Sequence, residues 1–149
     1  MDTKIQKEFI DTGFGFPVKL RNVLMVKARD EWTPKINYND LADAVLRALA
    51  FKPSRLTGSE IKFIRTHFDM TLQAFATRLC VTHVAVLKWE GAKAHPTAMS
   101  WSTEKDIRLF ILSKLQVKAV LIAKLYSALE SKPEAKSQPL NLDAEDLAA

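Results

Sequence analysis

The residues best suited to metal or nucleophilic chemistry in this chain are one cysteine and three histidines, Cys80, His67, His83 and His95. Their spacing sets up neither. Cys80 and His83, with His95 beyond, offer at most three ligands, and no two histidines stand at the spacing of a helical metal pair. A single cysteine also excludes an internal disulfide. The segment GFGFP (residues 13–17) lacks the glycine pattern of a phosphate loop or a dinucleotide fingerprint. No Ser-His-Asp set or carboxylate pair stands out, so no enzyme, cofactor or metal is expected. Trp32, Trp89 and Trp101 suit packing better than base stacking. The chemistry that remains is recognition. In VTHVAVLKWE (residues 81–90) a helix would turn His83, Val84, Ala85, Leu87 and Lys88 outward, an unusually apolar free face.

The elements that must hold this face are legible from periodicity. LTGSEIKFIRTHF predicts a helix starting near Ser59, with Ile61, Phe63, Ile64 and Phe68 inside. TLQAFATRL predicts a second, capped by Thr71 and lined by Leu72, Phe75, Ala76 and Leu79. After a turn at Cys80-Val81, Thr82 caps a third that runs through Trp89. Two short helices, a tight turn and a small Ala76 at the crossing make a helix-turn-helix pattern. In such a unit the second helix lies in the major groove. Thr71, Thr82, His83, Val84, Ala85 and Lys88 are the candidate DNA contacts: the short apolar groups suit thymine methyls, His83 a base edge or a phosphate, and Lys88 a guanine or a phosphate.

These residues also carry a resemblance. MTLQAFATRLCVTHVAVLKWEGA resembles the Xre/Cro-type repressor helix-turn-helix, with Met70, Thr71, Phe75, Ala76, Val81, Thr82, Val86, Trp89 and Glu90 at matching positions. Leu72 stands where that family usually has Gln, Cys80 where it has a turn glycine, and Val84 and Leu87 where it has polar residues. With the region upstream, the segment from Arg55 to Glu90 is similar to antitoxins of the MqsA and HigA type. That resemblance implies operator DNA and a cognate toxin as partners, with base reading at Val84 and Lys88. The zinc site of that family is not implied, because its paired cysteines are absent.

Around this unit, FPVKL and VLMVKA read as strands flanking a turn at Arg21-Asn22. NYNDLADAVLRALA reads as a helix with Asn39 as N-cap. Residues 103–129 read as one helix capped by Ser100 or Ser102. Its length of about 40 Å exceeds what the unit needs to cover, and part of it is expected to join two copies into a homodimer. The last nineteen residues carry two basic and four acidic side chains and two prolines, and read as a flexible tail. Its end, DLAA, places Leu147, Ala148 and Ala149 where they are similar to the ssrA tag read by the ClpXP protease; a chance match, or a chaperone contact through PLNL, are the alternatives.

The expected fold is therefore mainly α: a lambda-repressor-like helix-turn-helix domain (57–130) with a small β-hairpin and helix before it (1–56), a long C-terminal helix and a tail (131–149). A net charge of +5 permits a polyanionic partner. No signal peptide or membrane span is expected, which points to a soluble, cytoplasmic chain. The function expected is an antitoxin that binds double-stranded operator DNA as a dimer and represses its own operon. The alternatives are a stand-alone or phage-type repressor and a purely protein-binding adaptor.

Overall fold

The computed structural model describes residues 2–133 and 138–147. The chain forms two compact units, one of residues 1–45 with 139–149 and one of residues 46–138. The mainly α expectation is overturned by a four-stranded mixed sheet in the first unit. Its strands are β1 (Thr3–Asp11), β2 (Val18–Ala28), β3 (Glu31–Pro34) and β4 (Leu140–Asp143).

β2 is the central strand, antiparallel to β1 along one edge. Its other edge is shared. β4 runs parallel beside Val18–Arg21, and β3 antiparallel beside Met25–Ala28. Asn22 sits where the two partners meet. It is not a hairpin turn as expected: β2 runs straight through it, with Asn22 in the left-handed region at φ 57°. Asparagine tolerates that conformation better than most side chains. The buried residues Val18, Leu20, Val23 and Met25 show that the two-residue alternation slips by one there. The actual hairpin is Arg29-Asp30, both at positive φ (53° and 64°) between paired Ala28 and Glu31. Such a two-residue primed turn matches the twist of the flanking strands, although neither residue is the usual glycine.

The slip also sorts β1. Lys4 and Gln6 pair with Met25 and Val23, and Phe9 and Asp11 with Leu20 and Val18, so these four share the core-facing side. Ile5, Glu8 and Ile10 face the other way.

The expected tail is corrected in the same unit. Residues 140–143 are strand β4, with Leu140 and Ala144 buried. Ala144 N–H donates to the Arg21 carbonyl at 2.8 Å. Asn22 Nδ2 donates to Asp143 at 3.1 Å. The Glu145 N–H, and then Asn22 and Arg21, hold the Asp143 carboxyl below its ordinary range. Alternating Leu140-Asn141-Leu142-Asp143 is a strand pattern too short to read without its partner.

α1 (Tyr38–Ala50) is capped by Asn37 rather than Asn39: Asn37 Oδ1 accepts from the Asn39 and Asp40 N–H groups. The second unit holds α2 (Gly58–His67), α3 (Leu72–Arg78), α4 (His83–Gly91), α5 (Trp101–Lys114) and α6 (Ala119–Ala128). The long C-terminal helix is therefore two. Ser100 caps α5, which ends at Lys114 with Leu115 as its C-cap; Gln116 then takes a left-handed φ of 54°, and α6 folds back on α5. Folding back buries Leu125 and Leu129, which a straight helix leaves in water. The excess length that suggested a dimerisation helix disappears with the break. No helix among the described residues is long and apolar enough to cross a membrane.

Candidate nucleic-acid interface

The three consecutive helices α2, α3 and α4 each start on a threonine hydroxyl cap. Thr57 accepts from Glu60 N–H while Glu60 reaches back to Thr57 N–H, a reciprocal capping box. Thr71 accepts from Ala74 N–H at 3.0 Å and Thr82 from Ala85 N–H at 3.2 Å. Helices of seven and nine residues are marginal alone, so these caps and the packing beneath them decide whether they form.

The turn between α3 and α4 closes through two backbone bonds, Val81 N–H to the Ala76 carbonyl and Cys80 N–H to Thr77. This is the Schellman arrangement, whose pivotal residue is left-handed and usually glycine. Here it is Cys80, at φ 58°. Cys80→Gly relieves the Cβ clash and is expected to stabilise the protein by about 1 kcal/mol, read as a higher denaturant midpoint with an unchanged slope. An equal or lower midpoint would refute strain at this turn.

Below the turn, Phe75, Ala76 and Val86 are buried. The far end of α4 is fastened to α2. Arg65 donates through Nε and Nη2 to both oxygens of Glu90, at 2.6 and 3.0 Å, and through Nη1 to the Met70 carbonyl at 2.9 Å. The pair is mostly buried, at 13% and 8% side-chain exposure, and the planar fork fixes orientation as well as distance. Glu90 is thus a strut for α4. The start of α2 is tied to the loop after α4: Gly58 N–H donates to His95 and Ser59 N–H to Lys93.

With the helix held at both ends, its free face is what the sequence implied. Thr82, His83, Val84, Leu87 and Lys88 are exposed, Val84 by 50% and Leu87 by 57%. Thr71 is exposed at the start of α3. Ala85 is only half-exposed, turned partly toward the core, so its expected outward role is reduced. Comparison with protein-family models, curated proteins and solved structures finds no match. The assignment of this face therefore rests on its own geometry. Among the described residues no group of histidine, cysteine and carboxylate side chains is placed to hold a metal ion.

The tail residues fall elsewhere. Leu147 is buried in a short 3-10 turn, its N–H bonded to Ala144 and its carbonyl accepting from Asn37 N–H. A protease gripping Leu147 must first open that turn and break the bond from Asn37. Ala148 and Ala149 lie outside the described residues.

The second unit also holds a buried charged network that its sequence does not announce. Glu104 accepts from Arg55 and Leu56 N–H on one oxygen and from Arg108 on the other. Arg108 also donates to the carbonyls of Ala50, Lys52 and Ser54. Lys52 Nζ lies 2.7 and 2.8 Å from the two oxygens of Glu60. Glu104 and Arg108 are 0% and 1% exposed. Burial lowers the affinity of Arg108 for its proton, and Glu104 opposes that shift. Trp101 lies under Arg55 and Arg108, each 5.5 Å from its ring centre. The one local hint was Glu104 and Arg108 at i,i+4, which reads equally well as a solvent-exposed pair.

Proposed function

We propose that the chain binds double-stranded DNA by laying the outer face of α4 in the major groove, and that it acts as a repressor. The observation that carries this reading is the contrast between the two sides of α4. Its inner side is locked by Val86, Glu90 and the Thr82 cap, while Val84, Leu87 and Lys88 stand in solvent. A helix so rigidly aimed, with short apolar groups and one cation outward, fits thymine methyls and a guanine or phosphate. The net positive charge favours the approach to a polyanion.

Within that reading, the likeness to MqsA- and HigA-type antitoxins makes this the repressor partner of a toxin, bound as a dimer to its own operator in the cytoplasm. A stand-alone repressor binds DNA in the same way but has no toxic neighbouring gene, and expressing that gene alone separates the two.

The test is binding to the DNA upstream of the gene, titrated against salt and against a scrambled duplex. Selective, salt-sensitive binding is expected; binding that ignores sequence would refute the operator reading. Lys88→Ala should cost about 1–3 kcal/mol and relax selectivity if Lys88 holds a base edge. A uniform loss with a shallower salt slope would make it a phosphate contact.

A further inference from the structure

Among the described residues, β1 has one hydrogen-bonded neighbour, β2, and its other edge is unpaired. A nine-residue edge presents a row of N–H and C=O groups to any strand that approaches. Proteins usually blunt such an edge with proline, bulges or lysines. β1 has no proline, and it exposes Ile5 by 61% and Ile10 by 53% on one face.

We propose that β1 pairs antiparallel with β1 of a second copy. In the register inferred, Lys4 stands opposite Asp11, Ile5 opposite Ile10, Gln6 opposite Phe9 and Lys7 opposite Glu8, each pair occurring twice about the axis. A two-fold axis through such a pair stands perpendicular to the sheet, so opposed residues must share a face. In a regular strand that rule excludes setting residue 5 against residue 10. The slip at Lys7 removes the conflict, because Lys4, Gln6, Phe9 and Asp11 share one face and Ile5, Glu8 and Ile10 the other.

The face rule and charge together exclude the neighbouring registers. A shift of two residues sets Lys4 against Phe9 and Ile5 against Glu8, leaving each charge beside an apolar group. Centring on Lys7 sets Gln6 against Glu8, which lie on opposite faces, and also sets that lysine against itself, where like charges are unfavourable. The register inferred opposes Lys7 to the exposed Glu8, places Lys4 across from the buried Asp11, and joins the exposed isoleucines. Glu8 already holds Lys19 at 2.8 Å, and a carboxylate has room for a second cation. In this arrangement the lysines that blunt the edge against other strands admit a second copy of the same strand. The pairing does not depend on what α4 binds.

The test is sedimentation of the full-length chain with its charge variants. The parent is expected to run as a dimer. Lys7→Glu and Glu8→Lys, each folded by circular dichroism, should run as monomers, and an equal mixture of the two should dimerise again, because each chain then offers the charge the other needs. A double Ile5→Cys, Ile10→Cys variant in a Cys80→Ser background should cross-link through residues 5 and 10, which serves even if the charge variants fail to fold. A monomeric parent at its highest soluble concentration would overturn the proposal. So would a dimer that survives both reversals, or Ile5→Cys alone cross-linking to itself.

Discussion

Replacing Glu104 by alanine is expected to cost about 3–5 kcal/mol of folding stability, because it leaves two buried guanidinium groups without their shared counter-ion. Glu104 accepts from both Arg55 and Arg108, and the Leu56 N–H leans on it as well. The same carboxylate on an exposed surface would contribute a fraction of a kcal/mol. The difference is burial: water reaches neither Glu104 nor Arg108. Equilibrium unfolding in urea measures the loss, and a drop of less than about 1 kcal/mol would show that water enters this core and screens the charges. The companion substitution Arg108→Met removes the other end. It strips donors from the carbonyls of Ala50, Lys52 and Ser54 and leaves Glu104 with Arg55 alone. Because Glu104 and Arg108 share one network, the double variant should lose less than the sum of the single losses.

Gly58→Ala is the second large effect, and it acts directly on α4, the helix proposed to enter the groove. A Cβ at residue 58 would collide with the Trp89 carbonyl oxygen and lie 2.6 Å from Lys93 N and 2.8 Å from the Glu90 carbonyl oxygen. All three are backbone atoms, so no side-chain rotation relieves the contact. α2 and the end of α4 must separate, at a cost of about 3 kcal/mol. Their separation also disturbs the Arg65–Glu90 fork that aims α4. DNA affinity is therefore expected to fall even under conditions where the variant remains folded. The control is Gly91→Ala, at the end of the same helix, where a Cβ meets nothing within 4 Å. That change should leave binding intact and be neutral or slightly stabilising, since alanine orders a helix at less entropic cost than glycine. If Gly58→Ala binds DNA as tightly as the parent, the close approach of α2 and α4 is not what positions the interface.

What the sequence determined by itself is the part of the molecule built from near neighbours. Thr71 and Thr82 cap the helices they were expected to cap, and Phe75, Ala76 and Val86 are buried where the spacing placed them. Caps and apolar stripes act over three or four residues, so their signals lie side by side in the chain. The capping box of Thr57 and Glu60 is equally local and could have been read. What only the tertiary structure decided depends on groups far apart. β4 exists because β2 offers it an edge some 120 residues away, and four alternating residues carry no such information alone. The break at Gln116 has no glycine or proline to announce it. Burial of α6 against α5 favours two helices where helical propensity alone allows one. The buried charges show the same limit: Lys52, Arg55, Glu60, Glu104 and Arg108 read as surface residues in sequence. They become core residues because the fold brings opposite charges and backbone carbonyls together where water is excluded, and the strength of a charge pair is set by that exclusion.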